Sequence, residues 1–169
     1  NIHEGRVAVE AARKYDRTVQ HGTQSRSSRQ WAEAAALIRS GKLGKLNVSR
    51  ALCYKDRKSI GEKPNTTPPS ELDFNLWLGP ATEQAYHANL VPYNWHWFWD
   101  FGNGDIGNQG VHQMDVARWL IPGAGDAKSA VLPRTVLSVG GRFGYKDQGQ
   151  TANTQISVMD FGDAQLIFE

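Results

Sequence analysis

The sequence predicts a mixed fold that starts as α/β and continues as α+β with an antiparallel sheet. Three observations support this class. Apolar residues recur at helical spacing over residues 1–15, and a segment rich in β-forming residues follows at once. Two more helical patterns cover about 29–40 and 109–121. Three short strand-like segments, 135–140, 154–160 and 165–168, lie together near the end of the chain.

The composition excludes several classes of function. The 169 residues carry a net charge of +2, and the basic residues are scattered, whereas a nucleic-acid binder usually has a basic stripe. Every apolar run falls well short of the roughly 18 residues that cross a membrane. The single cysteine, Cys53, excludes an internal disulfide and a cysteine-rich zinc site. We therefore expect neither nucleic acid nor a membrane as partner. We expect a cytoplasmic location, and the sequence leaves export open.

The chain begins with a predicted helix followed by a predicted strand. Val7, Ala11 and Tyr15 share one side of the helix, and charged residues occupy the other side. Residues 17–23 predict a short strand, so this pair resembles the closing half of a β-α-β unit. A polar loop then supplies Ser28 as the N-cap of the second helix.

Irregular segments occupy the middle of the chain. Residues 46–54 alternate with period two, which predicts a half-buried strand. Residues 55–72 contain three prolines and predict a long loop, a kind of segment that often carries function.

The segment 93–99 is unusually aromatic. Trp95, Trp97 and Trp99 alternate, so on a strand they would share one face. Such a row of rings either stacks on the CH faces of a sugar or packs in a core. Tyr93 and His96 could add polar contacts to a ligand there.

The most informative segment is 102–115, in which four glycines allow tight turns and close approach to a ligand. Asn108 is placed to cap the third helix. His112 follows four residues later on the same side, and Asp115 could hold its ring from the next turn. This pattern predicts a general base, His112, with an orienting carboxamide, Asn108.

Simpler interpretations of the same residues stay open. His112 could be a structural histidine, Asp115 could pair with Arg118, and Asp105 could be a turn residue. A metal site built from His112, Asp115 and His96 is a poor alternative, because the sequence fixes no third ligand, so we expect no metal.

Three ordered motifs resemble the Gfo/Idh/MocA family, the glucose–fructose oxidoreductase and inositol dehydrogenase group. Residues 102–115 match its glycine-rich DxGxHxxD-type signature, residues 72–80 (LDFNLWLGP) its LDWxxWLGPA stretch, and residues 19–26 its VGxxxR crossover. The resemblance implies a Rossmann domain followed by an open-sheet substrate domain. It also implies hydride transfer between NAD or NADP and a hydroxyl-bearing carbon of a sugar, cyclitol or related polyol, and pairing of subunits through the open sheet.

The resemblance also implies roles for single residues. His112 falls on the catalytic histidine, and Asn108 falls where many members carry an aspartate. An amide cannot accept a proton, so Asn108 would bind or orient substrate. Asp115 matches the closing aspartate of the motif, which supports the helix and His112. The candidate substrate-binding residues are Asn108, Asp115, Trp95 and Trp97, and the candidate cofactor-binding residues are Gln24 and Arg26.

The motifs also predict the domain organisation. We expect residues 1–26 to be the end of the Rossmann domain and residues 27–169 a truncated substrate domain. The glycine-rich dinucleotide fingerprint is absent from the sequence, which suggests a fragment. The triplet at 62–64 spells the family's Glu-Lys-Pro motif, but it lies in the long loop, so we interpret Lys63 as a solvated lysine. Two alternatives remain: an NAD-assisted glycoside hydrolase of the same fold, and a non-catalytic sugar-binding or oligomerisation module.

Overall fold

A computed structural model describes residues 2–125 and 131–169. Four α-helices and four strands make up its regular structure, with short 3₁₀ turns at Gln24–Ser27, Asn94–Trp97 and Gly104–Ile106. The helices are α1 (Ile2–Lys14), α2 (Arg29–Arg39), α3 (Phe74–Leu78) and α4 (Gly110–Leu120). The strands are β1 (Val48–Ala51), β2 (Thr135–Gly141), β3 (Thr154–Asp160) and β4 (Gln165–Phe168). The predicted mixed fold class is confirmed.

The four strands form one mixed sheet in the order β1-β4-β3-β2. β1 runs parallel to β4, with Ala51 opposite Phe168. β3 pairs antiparallel with both β4 and β2, with Ser157 opposite Phe168 on one side and Ser138 on the other. The sheet is therefore antiparallel except where the distant strand β1 joins its edge, and that parallel pair was not predicted.

Helix α4 covers one face of the sheet. The close packing between them fixes where the helix starts. The core between them contains Ala51, Ala117, Leu166 and Phe168. A Cβ atom on Gly110 would lie 2.5 Å from Cε2 of Phe168 and 2.8 Å from a backbone oxygen, so only glycine allows this approach. The segment that carries Asn108 and His112 is thus held against β4.

A second apolar cluster lies beneath the loops. Leu90, Trp97 and Phe98 are buried, and partly buried rings of α3 and its neighbours pack against them. Asp73 caps α3 by accepting a hydrogen bond of 2.9 Å from the amide of Leu76. This cluster therefore gives the long loops a core of their own, separate from the sheet.

The carboxylate of one buried ion pair also joins two loops. Arg142 donates to both carboxylate oxygens of Asp147 at 2.6 and 2.8 Å, and the Asp147 side chain is fully buried. Asp147 also accepts from the backbone amides of Ile60 and Gly149, at 2.8 and 3.0 Å. The Arg142 guanidinium lies 4.8 Å from the ring of Trp97. Asp147 therefore ties the 142–151 loop to the 55–72 loop and to the aromatic cluster.

One predicted strand is wrong. Residues 17–23 are irregular with Val19 exposed, because no segment in the described ranges lies beside them to complete a ladder. The aromatic segment forms a 3₁₀ turn at Asn94–Trp97 rather than a strand. Three residues per turn replace the two-residue alternation, so the three tryptophans do not share one face. The strand predicted at 46–54 is shorter, and the domain boundary at residue 26 stays a prediction.

Candidate active site

His112 lines a cavity of about 410 Å³ beside α2, α4 and β1. Gln24, from the turn before α2, lines the same cavity, so two predicted site residues that are far apart in sequence come together. Arg50, Gln109 and Gln113 also line this cavity, which gives it a polar wall opposite its apolar residues. His112 is half-buried on the first turns of α4. The position is compatible with an imidazole that meets a ligand in the cavity.

Asp115 does not hold the His112 ring, which corrects the expectation from spacing. Its carboxylate accepts two hydrogen bonds of 2.8 Å from Nε and Nη2 of Arg26. The remaining nitrogen of Arg26, Nη1, donates to the carbonyl of Gly125 at 3.1 Å, and the guanidinium lies 4.6 Å from the ring of Trp119. The planar guanidinium matches a carboxylate better than an imidazole one turn away does.

This pair defines what Arg26 does in the fold. All three of its nitrogens are engaged, so Arg26 anchors the Gln24–Ser27 turn to α4. The anchoring places Gln24 at the cavity. Arg26 is thus a positioning residue for Gln24, and direct contact of Arg26 or Asp115 with a ligand stays a prediction.

We expect Arg26→Ala and Asp115→Ala each to lower the free energy of unfolding by about 2 kcal/mol, because each leaves a partly buried charge without its partner. Their double-mutant cycle should give a coupling of about 1–2 kcal/mol in urea unfolding. Arg29 and Glu33 form a matched exposed pair at 2.7 Å, and its coupling should stay near 0.5 kcal/mol or below. Additive effects of Arg26→Ala and Asp115→Ala would contradict the anchoring role.

Asn108 does not cap α4 either. The N-cap position is Gln109, which makes no side-chain capping bond. The Asn108 side chain instead helps to lower the pKa of the phenol of Tyr93, a residue that the sequence indicated only as a possible polar contact. The closure of the preceding turn explains this, since the Asn108 amide N–H donates to the carbonyl of Gly104 at 3.1 Å. Asn108 therefore faces the aromatic segment and not its own helix.

A charged cluster surrounds Tyr93 and Asn108. Arg57 donates to both oxygens of Asp105 at 2.6 and 2.7 Å, and its Nη1 donates to the Tyr93 hydroxyl at 3.3 Å. Lys55 donates to Oε1 of Gln109 at 2.6 Å. Asp105 is thus an ion-pair partner rather than only a turn residue. Sequence reasoning missed Arg57, because its partner lies 48 positions away.

The pKa of Tyr93 reflects this cluster. The hydrogen bond from Arg57 lowers the pKa of the phenol, and burial opposes this only in part. The charge of Arg57, the hydrogen bond from Asn108 and the charge of Lys55 lower it further. Tyr93 is therefore more easily ionised than an ordinary tyrosine.

A second cavity, of about 870 Å³, is lined by aromatic rings. Trp95 and Trp99 line it and are 37% and 63% exposed, together with Asp100 and Asn103. Trp97 is only 3% exposed and packs in the second apolar cluster, so it has no surface for a ligand. The substrate-binding prediction for Trp97 is therefore corrected, and the tryptophan that lines the cavity beside Trp95 is Trp99.

One histidine of the aromatic region, His96, is buried within the fold. Its Nδ1 lies 2.9 Å from the carbonyl of Tyr93, and burial lowers its pKa.

Within residues 2–125 and 131–169, no three His, Cys, Asp or Glu side chains form a group that could hold a metal ion. Across the same residues, no helix is long and apolar enough to cross a membrane.

Two comparisons with known proteins place the chain in a family and a fold. A family model described as the C-terminal alpha/beta domain of an oxidoreductase family matches residues 32–133. The crystal structure of the WlbA dehydrogenase from Bordetella pertussis, in complex with NADH and UDP-GlcNAcA, is similar with a TM-score of 0.59 and 14% identity. The match covers 99% of this chain and 40% of that chain. No curated protein matches the sequence. The structural match establishes a shared fold.

Proposed function

The chain belongs to the Gfo/Idh/MocA oxidoreductase family, and we propose that it forms the substrate-binding part of an NAD(P)-dependent enzyme that oxidises a hydroxyl group of a sugar, cyclitol or related polyol. The observation that carries the proposal is the position of His112. It lines a cavity together with Gln24, and it lies in the segment that resembles the family's catalytic motif. The chain spans 40% of the length of the dehydrogenase it matches, so the activity is proposed for a protein that also holds a nucleotide-binding domain.

Each site residue has a part in this reaction. His112 accepts the proton of the substrate hydroxyl while the C–H electron pair leaves as hydride. NAD or NADP, when bound, supplies the hydride acceptor. The amide side chains of Gln24, Gln109 and Gln113 suit a neutral, hydrogen-bonding group such as the nicotinamide carboxamide. Asn108 orients the substrate, since its amide cannot take a proton.

The aromatic cavity supports a carbohydrate as the substrate class. Trp95 and Trp99 offer partly exposed ring faces, and Asp100 and Asn103 line the same space with hydrogen-bonding groups. Aromatic faces pack on sugar CH groups, and carboxylate or amide side chains bind hydroxyl groups. This combination favours a polyhydroxylated ligand over an apolar one.

The exposed sheet supports a second copy of the chain as partner. Leu137 and Val139 are exposed on one face of β2, and Ile156, which lies opposite Val139, is exposed on the same face of β3. An apolar patch of this kind on an edge strand is typical of an interface between subunits. We propose a homo-oligomer that pairs through this sheet.

The test is product analysis with a form of the protein that carries a nucleotide-binding domain. Free sugars, cyclitols and polyols with NAD or NADP should yield reduced nicotinamide, measured by its near-ultraviolet absorbance. The same protein with aryl glycosides should release no glycone. Glycone release without net reduction would identify the NAD-assisted glycoside hydrolase instead, and binding of sugar without either product would identify a non-catalytic module.

A further inference from the structure

Two cavities make up the candidate site, and the proposed function uses both. His112 lines the cavity of about 410 Å³, and the exposed tryptophans line the aromatic cavity of about 870 Å³. Both volumes lie in the range of about 300–1,000 Å³ that is usual for small-molecule sites. Among the residues that the structure describes, none lines both cavities. A sugar ring that packs on the tryptophans is therefore not the ring whose hydroxyl group meets His112.

One short turn separates the two cavities. Asn103 lines the aromatic cavity, and Gln109 lines the smaller one. The turn between them is closed by the hydrogen bond of 3.1 Å from the amide of Asn108 to the carbonyl of Gly104. The Asn103 side chain also packs over Gly107, where a Cβ atom would collide with it. The cavities are therefore neighbours, and one ligand with two linked rings can occupy both.

The wall of the aromatic cavity is fixed by packing behind it. The ring of Trp95 packs edge-on against the buried His96, with 5.8 Å between centroids. The backbone amide of Trp99 donates to Oε1 of Gln150 at 3.0 Å. Gly102 lines the cavity, and a Cβ atom on it would lie 2.7 Å from Cα of His96. A wall that is held in advance loses little conformational freedom when a ligand binds.

Acidic side chains determine which kind of ring fits this wall. Glu4 and Asp100 line the aromatic cavity, and in the described part of the chain no Lys, Arg or His lines it. Oδ2 of Asp100 accepts a hydrogen bond of 3.0 Å from Gln84, and Oδ1 accepts none from a described residue. A carboxylate accepts hydrogen bonds from sugar hydroxyl groups, and it repels a second carboxylate or a phosphate. Together with the tryptophan faces, these groups fit a neutral sugar ring.

We propose that the aromatic cavity is a second sugar subsite, which binds a neutral, non-reacting ring of the substrate while His112 acts on another ring. This inference rests on the proposed dehydrogenase function. It makes the substrate a glycoside or an oligosaccharide rather than a free monosaccharide. The glycosidic bond stays intact, because only the O–H and C–H bonds of the ring at His112 are broken. The second ring contributes binding energy and takes no part in proton or hydride transfer.

Binding is tested in the chain itself, by calorimetric titration with the methyl glycosides of glucose, galactose and mannose. Trp99→Ala should weaken binding of the best-bound glycoside about five- to tenfold, because a stacking face is lost. Tyr54→Ala is the matched control, since Tyr54 is 74% exposed and lines neither cavity. The uronide of the same glycoside, which differs only in a carboxylate, should bind more weakly, and the difference should shrink at high salt.

Turnover tests the role of the second ring in a form of the protein with a nucleotide-binding domain. For disaccharides of the same sugars, Trp99→Ala should raise KM about five- to tenfold with little change in kcat. For free monosaccharides and for NAD or NADP, Trp99→Ala should leave KM unchanged. Tyr54→Ala should leave every KM unchanged. Mass spectrometry of the oxidised disaccharide should show an intact linkage.

The outcomes separate this proposal from the proposed function. Equal changes in KM for disaccharides and monosaccharides in Trp99→Ala, or turnover confined to monosaccharides, would overturn the second subsite while the dehydrogenase function stands. Glycoside binding that is absent, or that Trp99→Ala leaves unchanged, would overturn it without any assay of activity. Absence of nicotinamide-linked turnover with every sugar would overturn the proposed function, and Trp99-dependent binding of neutral glycosides would still support a sugar site in the aromatic cavity.

Discussion

Replacing His112 with alanine is expected to lower turnover by about a hundredfold in a form of the protein that carries a nucleotide-binding domain. The imidazole is the only titratable base on the described wall of the 410 Å³ cavity, where Arg50 is the other ionisable group. Without it, the hydroxyl proton must pass to water while hydride leaves. The measurement is the rate of nicotinamide reduction at saturating substrate, together with KM.

His21→Ala is the matched control, because His21 is exposed in the irregular 17–23 segment and lines neither cavity. His112 is only half-buried, so the melting temperature of His112→Ala should stay within a few degrees of the unaltered protein. Turnover equal to that of His21→Ala would remove His112 from the mechanism. A rise in KM alone, with kcat retained, would make His112 a binding residue.

Local sequence patterns correctly predicted the strands that pair with a neighbour close in the sequence. The strands 154–160 and 165–168 match the observed β3 and β4 at both ends, since each alternates or clusters β-forming residues between turn residues. The 17–23 segment has similar composition but no strand beside it in the described structure. Pairing is a non-local property, so composition alone could not decide it.

The site shows the same limit. The motif placed His112 on a helix, and the position of Gln24 after a predicted strand made it a candidate for ligand contact. Both residues line one cavity. The partner of Asp115 is Arg26, 89 positions away, and no spacing rule reaches that far. Trp97 looked equivalent to Trp95 by alternation, but a 3₁₀ turn sends it into the core. The spacing of residues in the sequence therefore could not predict the contacts that these side chains make.

Asp147→Asn is expected to lower the free energy of unfolding by about 2 kcal/mol at neutral pH. Burial alone would raise the pKa of the Asp147 carboxyl. Hydrogen bonds from Arg142 and from the amides of Ile60 and Gly149 outweigh burial and lower the pKa from 3.8 to about 2. Because the folded-state pKa is depressed, the carboxylate stabilises the fold fully above about pH 4, and this contribution is lost as pH falls towards 2.

The fall in the free energy of unfolding at acid pH therefore distinguishes the buried carboxylate from an exposed one. Urea unfolding between pH 4 and 2 should show a steep decline in the unaltered protein and a shallower one in Asp147→Asn, which has no charge to lose. Asp163→Asn is the control, since Asp163 is 94% exposed and only 3.4 Å from Lys45 Nζ; it should change stability by about 0.5 kcal/mol or less. Equal slopes for Asp147→Asn and the unaltered protein would show that the two loops are joined without the charge. If the pH dependence of the unfolding free energy becomes shallower only in Asp147→Asn, the acid sensitivity of the fold belongs to the Arg142–Asp147 pair. That pair connects the 55–72 loop to the aromatic cluster.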